Sequence, residues 1–362
     1  MSRFCDVIDR MIEGNIPFFL YRLPNSMIIK CGYLLSETIR FGSVDEFIGQ
    51  KGFVMAPFEG DKCYFLPADR AFELPHELDS LDRETSHLHF SEKAEPEFAG
   101  TITSKEEYVV QCSHFINEIR QGNSEKVILS RIVQSNSINK RTAPALFESL
   151  CDHYTSAYVF LVNMPGVTTW IGATPETLLS VHRDHFTTMS LAGTQKWDDQ
   201  ITSNPDNWSP KDREEQAIVT RYICKQVESL SLSEVTCSSL QVKRAGNVAH
   251  LQTLIQGKIR KNQIAPLIKA LHPTPAVCGS PKEEACKLIK EVETHSRSFY
   301  AGYLGYTSEG GDLELFVNLR SARLLKDYGL LYVGGGITAE SKPALEWEET
   351  CLKARTILNV LI

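Results

Sequence analysis

Short apolar runs, each followed by turn-forming residues, dominate the first hundred positions of the chain. Branched and aromatic residues in these runs favour an extended backbone, so we predict strands at "FFLYRL", "SMIIKCGYL", "KGFVMAPF" and "CYFLPA". Residues 74–100 are polar and acidic and contain proline, which is typical of a long surface connection. The pattern therefore predicts an N-terminal sheet region that ends in a loop.

Four later segments have the three-to-four-residue spacing of apolar positions that indicates a helix. Residues 103–123 read as a capped amphipathic helix. The next helix has Ser209 as its predicted N-cap and Pro210 at its first position. In the last helix Pro343 lies near the start and Ser341 is the predicted N-cap. The four segments are "TSKEEYVVQCSHFINEIRQGN", "SPKDREEQAIVTRYICKQVESL", "SPKEEACKLIKEVE" and "KPALEWEETCLKARTILNVL".

The remaining apolar segments read as strands that meet through short turns. They include "KVILSRIVQS", the long stretch from "SAYVFLV" to "LAGTQKW", "LQVKRAGNVAHLQTLIQGKI", "SFYAGYLGYTS", "DLELFVNLRSARLL" and "GLLYVGGGITA". Strands joined directly to strands, with helices interspersed, are typical of an α+β fold with largely antiparallel sheets.

Composition and charge narrow the function classes. The chain has 362 residues, is 42% hydrophobic and 23% charged, and has a net charge of −7 without a basic run, which argues against nucleic-acid binding. We find no apolar run of the roughly 20 residues that span a bilayer and no signal-peptide pattern. Ten cysteines without a C-x-x-C pair suit a reducing compartment. We therefore expect a soluble, cytoplasmic protein, and a monomer by default.

Two pairs of acids stand three residues apart on predicted helices, a spacing that places both members of a pair on one helix face. Glu346 and Glu349 form one pair, whereas Glu348 points elsewhere. Asp212 and Glu215 form the other. Two such helices could together bind a hard cation such as Mg²⁺. Spacing alone leaves a second interpretation open, in which both are solvated faces with acids near helix N-termini.

Three consecutive glycines, 334–336, precede the second acidic helix. One interpretation is a simple turn. The other is a strand end at which a ligand approaches the backbone and its N–H groups face an anion.

Five motifs occur in a fixed order: "EKVILSR" (125–131), "IGATPETLL" (171–179), "SLAGT" (190–194), "LHPTPAVCGSP" (271–281) and "GGGI…S.P..EWEET..KA" (334–354). Together they resemble the chorismate-utilising enzymes, which include isochorismate, salicylate, anthranilate and aminodeoxychorismate synthases. The resemblance covers about residues 101–362, and residues 1–100 match less specifically. It implies one large domain over 1–362, with two facing antiparallel sheets flanked by helices and with Mg²⁺ and chorismate bound between them.

The resemblance also assigns the acidic pairs. It implies that Glu215 and Glu349 bind Mg²⁺, which holds the ring carboxylate of chorismate, and that Asp212 and Glu346 hold the waters of the metal. At Gln216 this chain departs from the family, which often has histidine there. That neighbour is not a ligand, so the departure leaves the predicted metal site unchanged.

Two residues decide the branch of the family. Water is a weak nucleophile that benefits from a general base. In the enzymes of the family that add water, the resemblance implies a lysine as this base, and it matches Lys126. Anthranilate synthases carry glutamine at the same position. Aminodeoxychorismate synthases place a covalent lysine where this chain has Ala192. The matching general acid is Glu176, which would protonate the departing C4 hydroxyl. The alternative for Lys126 is an exposed cation at the start of a strand. The alternative for Glu176 is an acid at the end of a strand with no catalytic role. We expect no glutamine amidotransferase partner.

The remaining contacts follow from the same resemblance. Arg320 is predicted to pair with the enolpyruvyl carboxylate, for which a guanidinium is suited. Lys353 would lie near a carboxylate or a metal-bound water, although a surface Glu–Lys pair is the alternative. For His272 a functional and a structural role remain equally open. Further predicted binding residues are Tyr300, Gly334, Gly336, His250, Thr194, Ala276 and Val277.

Three functions remain to be compared. The first is an isochorismate synthase, a Mg²⁺-dependent isomerase, which "HPTPAVCG" favours. The second is a salicylate synthase, which would go on to eliminate pyruvate from isochorismate. The third is a non-catalytic paralogue, which the intact reactive residues disfavour. The stretch "GFVMAPF" favours menaquinone synthesis over siderophore or salicylate synthesis.

Overall fold

Helices alternate with groups of strands along the chain. The computed structural model describes residues 2–199, 202–246 and 248–361. The helices are α1 (Arg3–Glu13), α2 (Leu78–Thr85), α3 (Lys105–Arg120), α4 (Ala143–His153), α5 (Pro210–Ser229), α6 (Lys261–Leu271), α7 (Lys282–Val292) and α8 (Pro343–Leu358). None of the helices in these ranges is long and apolar enough to cross a membrane.

The strands include short edge strands and long central ones. They are β1 (Phe18–Arg22), β2 (Ile29–Tyr33), β3 (Arg40–Ser43), β4 (Gly52–Ala56), β5 (Lys62–Pro67), β6 (Arg70–Leu74), β7 (Lys126–Ser135), β8 (Tyr158–Met164), β9 (Thr168–Thr174), β10 (Thr177–His182), β11 (His185–Lys196), β12 (Ser233–Cys237), β13 (Gln241–Ala245), β14 (Val248–Lys258), β15 (Gly279–Ser280), β16 (Tyr303–Thr307), β17 (Leu313–Val317), β18 (Ser321–Leu324) and β19 (Gly329–Ile337).

The strands form two large sheets. The first has nine strands in the order β15-β7-β19-β18-β9-β8-β1-β2-β6. The second has ten, in the order β12-β14-β11-β10-β17-β16-β4-β5-β3, and β13 pairs with β14. The recorded strand pairs are antiparallel, for example β7 with β19 and β11 with β14. The predicted α+β fold with two antiparallel sheets is confirmed.

The sheets face each other across one apolar core. Tyr158 of β8 stacks on Phe316 of β17 with ring centroids 4.0 Å apart, and Phe19 of β1 stacks on Phe53 of β4 at 5.0 Å. Phe18, the neighbour of Phe19, instead joins the apolar cluster beneath α1 and α4. Because side chains alternate along a strand, β1 is buried on both faces. The first sheet therefore lies between the second sheet and a layer of helices.

Two of the short crossovers between the sheets lie side by side. Residues 175–176 connect β9 of the first sheet to β10 of the second, and residues 318–320 connect β17 back to β18. The backbone N–H of Val317 donates to the carbonyl of Glu176 at 2.9 Å, and the backbone N–H of Ala173 donates to the carbonyl of Arg320 at 3.1 Å. These hydrogen bonds hold Glu176 and Arg320 at the same end of the core.

The structure confirms several element predictions. Ser209 caps α5 by accepting from the N–H of Asp212 at 3.1 Å, and Pro210 occupies the first helical position. The helix predicted over 103–123 is α3, whose N-cap, Ser104, forms a capping box with Glu107.

Other element predictions were wrong or incomplete. The predicted loop over 74–100 contains α2, and α1, α4 and α6 were not predicted. Ser341 is not the N-cap of α8, because Lys342 occupies that position. The Ser341 hydroxyl instead accepts from the N–H of Thr338 at 3.0 Å and so closes the turn before the helix.

Candidate active site

A cavity of about 720 Å³, open to solvent on one side, lies beside the two crossovers and between α5 and α8. Most of the predicted site residues line it: Glu176, Ala192, Thr194, Glu215, His250, Ala276, Val277, Tyr300, Arg320, Gly334, Gly336 and Lys353. Four lie just outside its lining: Lys126, Asp212, Glu346 and Glu349. Residues from nine separate stretches of the chain thus converge at one place.

Glu176 lies in the β9–β10 crossover and is only 3% exposed. Its backbone is fixed, because its carbonyl accepts from Val317 and its N–H donates to the hydroxyl of Thr174 at 3.3 Å. Burial penalises the charged form and raises the pKa of Glu176 to about 8. Nearby cations oppose this rise, namely Lys126, Lys243, Arg320 and Lys353. At neutral pH the side chain is therefore mostly a protonated acid.

Lys126 begins β7 and its side chain is fully buried, so the surface interpretation of this lysine was wrong. Its Nζ lies 2.9 Å from Oε1 of Glu215 on α5. Burial would raise the pKa of Glu215, but Lys126, Lys353 and Lys211 outweigh it and lower that pKa. The carboxylate of Glu215 therefore lines the cavity next to Lys126.

Glycines 334–336 are neither a turn nor a loop, because they continue β19 and pair with residues 128–130 of β7. A Cβ on Gly336 would lie 2.5 Å from Oε1 of Glu215 and 2.9 Å from Cε of Lys126, so a side chain there would force these two groups to move. The carbonyl of Gly334 accepts from Nζ of Lys353 at 2.8 Å. The missing side chains give the two helices room to bring charged groups against this strand.

The two acids of α8 share one face, as their spacing predicts. The Glu346 side chain is 5% exposed and bonds to Lys211 at 3.0 Å, and Glu349 bonds to Lys353 at 2.7 Å. Burial and the neighbouring Glu349 raise the pKa of Glu346 above its usual value, although Lys211 opposes them. Glu348 is exposed and points away.

Asp212 serves the start of α5. Its carboxylate accepts from the hydroxyl of Ser209 at 2.7 Å and from Nε2 of Gln195 at 2.8 Å. Glu214 is turned to the surface and pairs with Arg221, as the helical spacing predicts. The outer-shell role of Asp212 remains a prediction.

Arg320 and His250 form a buried hydrogen-bonded pair. Nη2 of Arg320 donates to Nε2 of His250 at 2.5 Å, and Nη1 donates to the carbonyl of Ala245 at 3.2 Å. Nδ1 of His250 then donates to the carbonyl of Gly193 at 2.9 Å. Burial and the adjacent Arg320 hold the pKa of His250 well below its usual value. The imidazole is therefore neutral, with its proton on Nδ1.

Two residues discussed from the sequence make contacts outside this cavity. His272 lies outside the cavity, and its Nε2 is 3.2 Å from the carbonyl of Pro57. Burial lowers the pKa of His272 to about 4, so it is neutral. Gln216 donates to the hydroxyls of Ser190 and Thr253 at 2.9 and 3.0 Å, where it ties α5 to the second sheet.

Sequence reasoning missed Lys243, which lies on β13 and donates to the carbonyl of Pro175 at 2.9 Å. Burial lowers the pKa of Lys243, and the nearby Glu176 opposes this shift. Nothing in the stretch "LQVKRAG" distinguishes this lysine from a surface cation. Its role follows from the pairing of β13 with β14, which places it beside the crossover. Leu319 and Tyr332, which add apolar lining, were also missed.

Three of the four carboxylates predicted to bind magnesium lie near Gly335 and Gly336. Within the described ranges, no three His, Cys, Asp or Glu side chains lie close enough together to hold a metal ion. Each predicted inner acid instead pairs with an ammonium group. A Cβ on Gly335 would lie 3.7 Å from oxygens of both Glu346 and Glu349, next to the Glu215 contact at Gly336. Carboxylates are the ligands that a hard cation prefers, but here two of them pair with lysines, which such an ion would have to displace.

The cavity combines a buried acid, a buried lysine and several cationic groups with apolar walls. Arg320, Lys353 and Lys243 surround a Glu176 that is mostly neutral. Such an excess of positive charge suits a small molecule with more than one carboxylate. A protonated acid and a nearby lysine can also exchange protons with such a molecule.

Residues 67–362 match the family of chorismate binding enzymes. The vibriobactin-specific isochorismate synthase of Vibrio cholerae is 30% identical over 262 residues, which are 70% of this chain and 66% of that protein. Isochorismate synthase EntC of Escherichia coli is 32% identical over 242 residues, 65% of this chain and 62% of that protein. The chain thus spans less than two thirds of the length of these relatives.

Among solved structures, MenF, the menaquinone-specific isochorismate synthase of Escherichia coli, superposes with a TM-score of 0.80. The match covers 98% of this chain and 91% of that one at 22% identity. At that identity the likeness establishes the two-sheet fold alone.

Proposed function

The chain belongs to the family of chorismate binding enzymes, and from this premise we propose that it converts chorismate to isochorismate. The observation that carries the proposal is Glu176, a fully buried carboxyl with a pKa of about 8, in the same site as the buried Lys126. An isomerase that adds water at one carbon and removes a hydroxyl at another needs such an acid and such a base.

The substrate carries two carboxylates, one on the ring and one on the enolpyruvyl group. We propose that Arg320 and Tyr300 hold the enolpyruvyl carboxylate. Both are buried, and Arg320 is fixed by His250 and Ala245. Apolar residues such as Leu319 and Val277 exclude water from the ring faces, which strengthens each charged contact.

The proposed reaction has two linked proton transfers. Lys126, in its neutral form, takes a proton from the water that attacks C2, and Thr194 orients that water. The ring double bond shifts as the bond from C4 to its hydroxyl breaks, and Glu176 supplies the proton with which the hydroxyl leaves as water. The two residues exchange roles in the reverse reaction, by microscopic reversibility. Ala192 and Ala276 leave space at the reacting face.

We further propose a magnesium dependence. Glu215 and Glu349 would hold the ion, and Asp212 and Glu346 would hold its waters. When bound, Mg²⁺ neutralises and orients the ring carboxylate. Lys126 and Lys353, which now pair with the two ligands, would be released toward water and substrate.

The pathway is proposed from the sequence. The stretch "GFVMAPF" favours menaquinone synthesis, whereas one relative is named as vibriobactin-specific and another as menaquinone-specific. Deleting the gene in its own host and measuring menaquinone, catechols and salicylate would test this. Unchanged menaquinone with a loss of catechols would contradict it.

The activity itself is tested by incubating the purified protein with chorismate, with and without Mg²⁺, and following products by chromatography. We expect isochorismate in equilibrium with chorismate, and none without Mg²⁺. Salicylate and pyruvate as the main early products would contradict the isomerase proposal and identify a salicylate synthase. Unconsumed chorismate in both samples would indicate a non-catalytic paralogue.

A further inference from the structure

A second cavity lies between the β4–β5 turn and the helices α6 and α7. It encloses about 1280 Å³, part of it open to solvent. Its charged lining is mainly cationic: Lys62, Lys269, Lys282, Lys287 and Lys290, against Glu59 and Asp61. The proposed reaction uses none of these residues.

Some of these cations are already engaged. Lys269 pairs with Asp45, and Lys282 donates to the carbonyl of His272 at 2.6 Å. Lys287 is exposed and only 3.9 Å from Glu291, and Lys290 has no ion-pair partner in the part of the chain that the structure describes. Exposed ion pairs at such distances are weak. Lys287 and Lys290 are therefore free to attract an anion into the cavity.

Cys286 opens into this cavity from α7. Lys282 and Lys290 stand four residues before and after it, which places all three on one helix face. The pKa of the Cys286 thiol is lowered to about 7, first by a hydrogen bond from the buried Cys278 and then by Lys282 and Arg297, while burial opposes them. The Cys278 thiol also lies 3.2 Å from the carbonyl of Thr274, but the cations favour the thiolate independently of that contact.

We propose that Cys286 is a modification site that binds a small anionic disulfide, such as glutathione disulfide, and forms a mixed disulfide with it. The Cys286 thiolate attacks one sulfur of the reagent. A bond forms between these two sulfurs, the sulfur–sulfur bond of the reagent breaks, and the second half leaves as a thiolate that takes a proton from water. The Cys286 sulfur is oxidised and the departing sulfur is reduced, so electrons balance.

This site lies behind one wall of the candidate active site. Cys278, which contacts Cys286, follows directly after Val277, and its carbonyl accepts from the N–H of Ile128 at 2.9 Å. Both Val277 and Ile128 line the first cavity. Cys286 is therefore connected to that wall through Cys278.

The lowered pKa alone gives only a modest advantage. At pH 7 a thiol with a pKa near 7 is about half ionised, against about 3% for an ordinary cysteine, but its weaker nucleophilicity removes about fivefold of this gain. About a threefold rate advantage remains for a neutral reagent. Attraction by the lysines adds to it only for an anionic reagent, by roughly tenfold or more at low salt. Comparing an anionic with a neutral reagent therefore distinguishes anion binding in the cavity from the intrinsic reactivity of the thiol.

The test measures labelling rates at pH 7 with dithiobis(nitrobenzoate), which is anionic, and dithiodipyridine, which is neutral. Peptide mapping by mass spectrometry follows Cys286 and, as a control in the same molecule, the exposed Cys237. A Cys224→Ser background is used because the Cys224 sulfur lies 3.7 Å from that of Cys237. Either product, a mixed disulfide at Cys286 or a Cys278–Cys286 disulfide, is counted as reaction of Cys286 with the reagent.

We expect the anionic-to-neutral rate ratio to be roughly tenfold higher at Cys286 than at Cys237. Lys287→Glu with Lys290→Glu should remove this preference, whereas Lys326→Glu, an exposed lysine outside the cavity, should not change it. Glutathione disulfide should then add the mass of one glutathionyl group to Cys286. Equal ratios at the two cysteines, or no reaction at Cys286 with either reagent, would overturn the proposal. This test does not depend on the proposed enzymatic activity.

Discussion

Glu176 shows how position alone changes the chemistry of a common side chain. It is uncharged at neutral pH because the crossover buries it completely, in spite of four nearby cations. A carboxyl that keeps its proton until about pH 8 can act as a general acid under conditions in which a surface glutamate cannot.

Replacing this acid should therefore alter both rate and pH dependence. Glu176→Gln should lower kcat by roughly 10²-fold or more, because glutamine cannot donate the proton to the leaving hydroxyl. In the wild type, kcat/KM should fall as the pH rises through about 8, where Glu176 loses its proton. Initial rates of chorismate consumption between pH 6 and 9 check this, and a wild-type fall that persists in the variant would contradict the assignment.

The same carboxyl predicts a stability effect. Its pKa is about 8 in the folded chain and 4.5 ordinarily, so between these values the folded state binds more protons than the unfolded state. The contribution is fully present below about pH 4.5 and is lost as the pH rises through about 8. Glu176→Gln should flatten this part of the curve of Tm against pH, measured by calorimetry, whereas replacing the exposed Glu348 should not.

Glu348 and Glu349, neighbours on α8, should respond in opposite ways to the same substitution. Glu349→Gln should abolish activity, because it removes a proposed magnesium ligand, whereas Glu348→Gln should keep it, because that side chain is exposed. Binding of Mg²⁺, followed by calorimetric titration, should weaken only in the Glu349 variant. Equal loss in both variants would mean that the assignment of helix faces does not determine function.

At the scale of elements, β19 lies against acidic side chains from two helices, α5 and α8. Adjacent glycines within it face different surroundings. A Cβ at Gly336 would collide with Glu215 and Lys126, whereas one at Gly335 would meet its nearest atoms at 3.7 Å, an ordinary contact.

Gly336→Ala should therefore separate Lys126 from Glu215 and lower kcat/KM by at least about tenfold, with overpacking that costs about 1–3 kcal/mol of stability. Gly335→Ala, the same change one residue earlier, should remain close to wild type in both respects. Kinetics with chorismate and thermal unfolding of the pair measure this. Similar behaviour of the two variants would show that the tight approach at Gly336 is not needed.

Some elements were predictable because their signals are local. The Ser209–Pro210 start of α5 and the i, i+3 acids are properties of a single helix, and the structure has both. By contrast, α2 has few apolar residues and α6 carries Pro266 within it, so their stability depends on packing that no local pattern encodes. The N-terminal Pro343 of α8 was predictable, whereas its cap depended on the turn before it.

At the scale of the whole molecule, the site exists because the chain changes sheets twice at one end of the core. From the sequence, "VNLRS" reads as part of one continuous strand and "GATPE" as a turn at the end of a strand, yet each contains a crossover between the sheets. Their proximity depends on which strands become neighbours, and that is set by the packing of two sheets. The motifs identified the residues, but only the topology places Glu176 beside Arg320 and brings in Lys243.

This dependence predicts that core packing between the sheets controls activity. Phe316 stacks on Tyr158 across the core and immediately precedes Val317, whose N–H holds the carbonyl of Glu176. Phe316→Ala should cost about 3–5 kcal/mol of stability. It should also lower kcat, because the crossover loses its support. Phe41→Ala, which removes a ring that is 55% exposed on β3, should change both by much less. Thermal unfolding and steady-state kinetics on the two variants compare them, and a Phe316→Ala protein with wild-type kcat would show that the crossover keeps its geometry without the stack between the sheets.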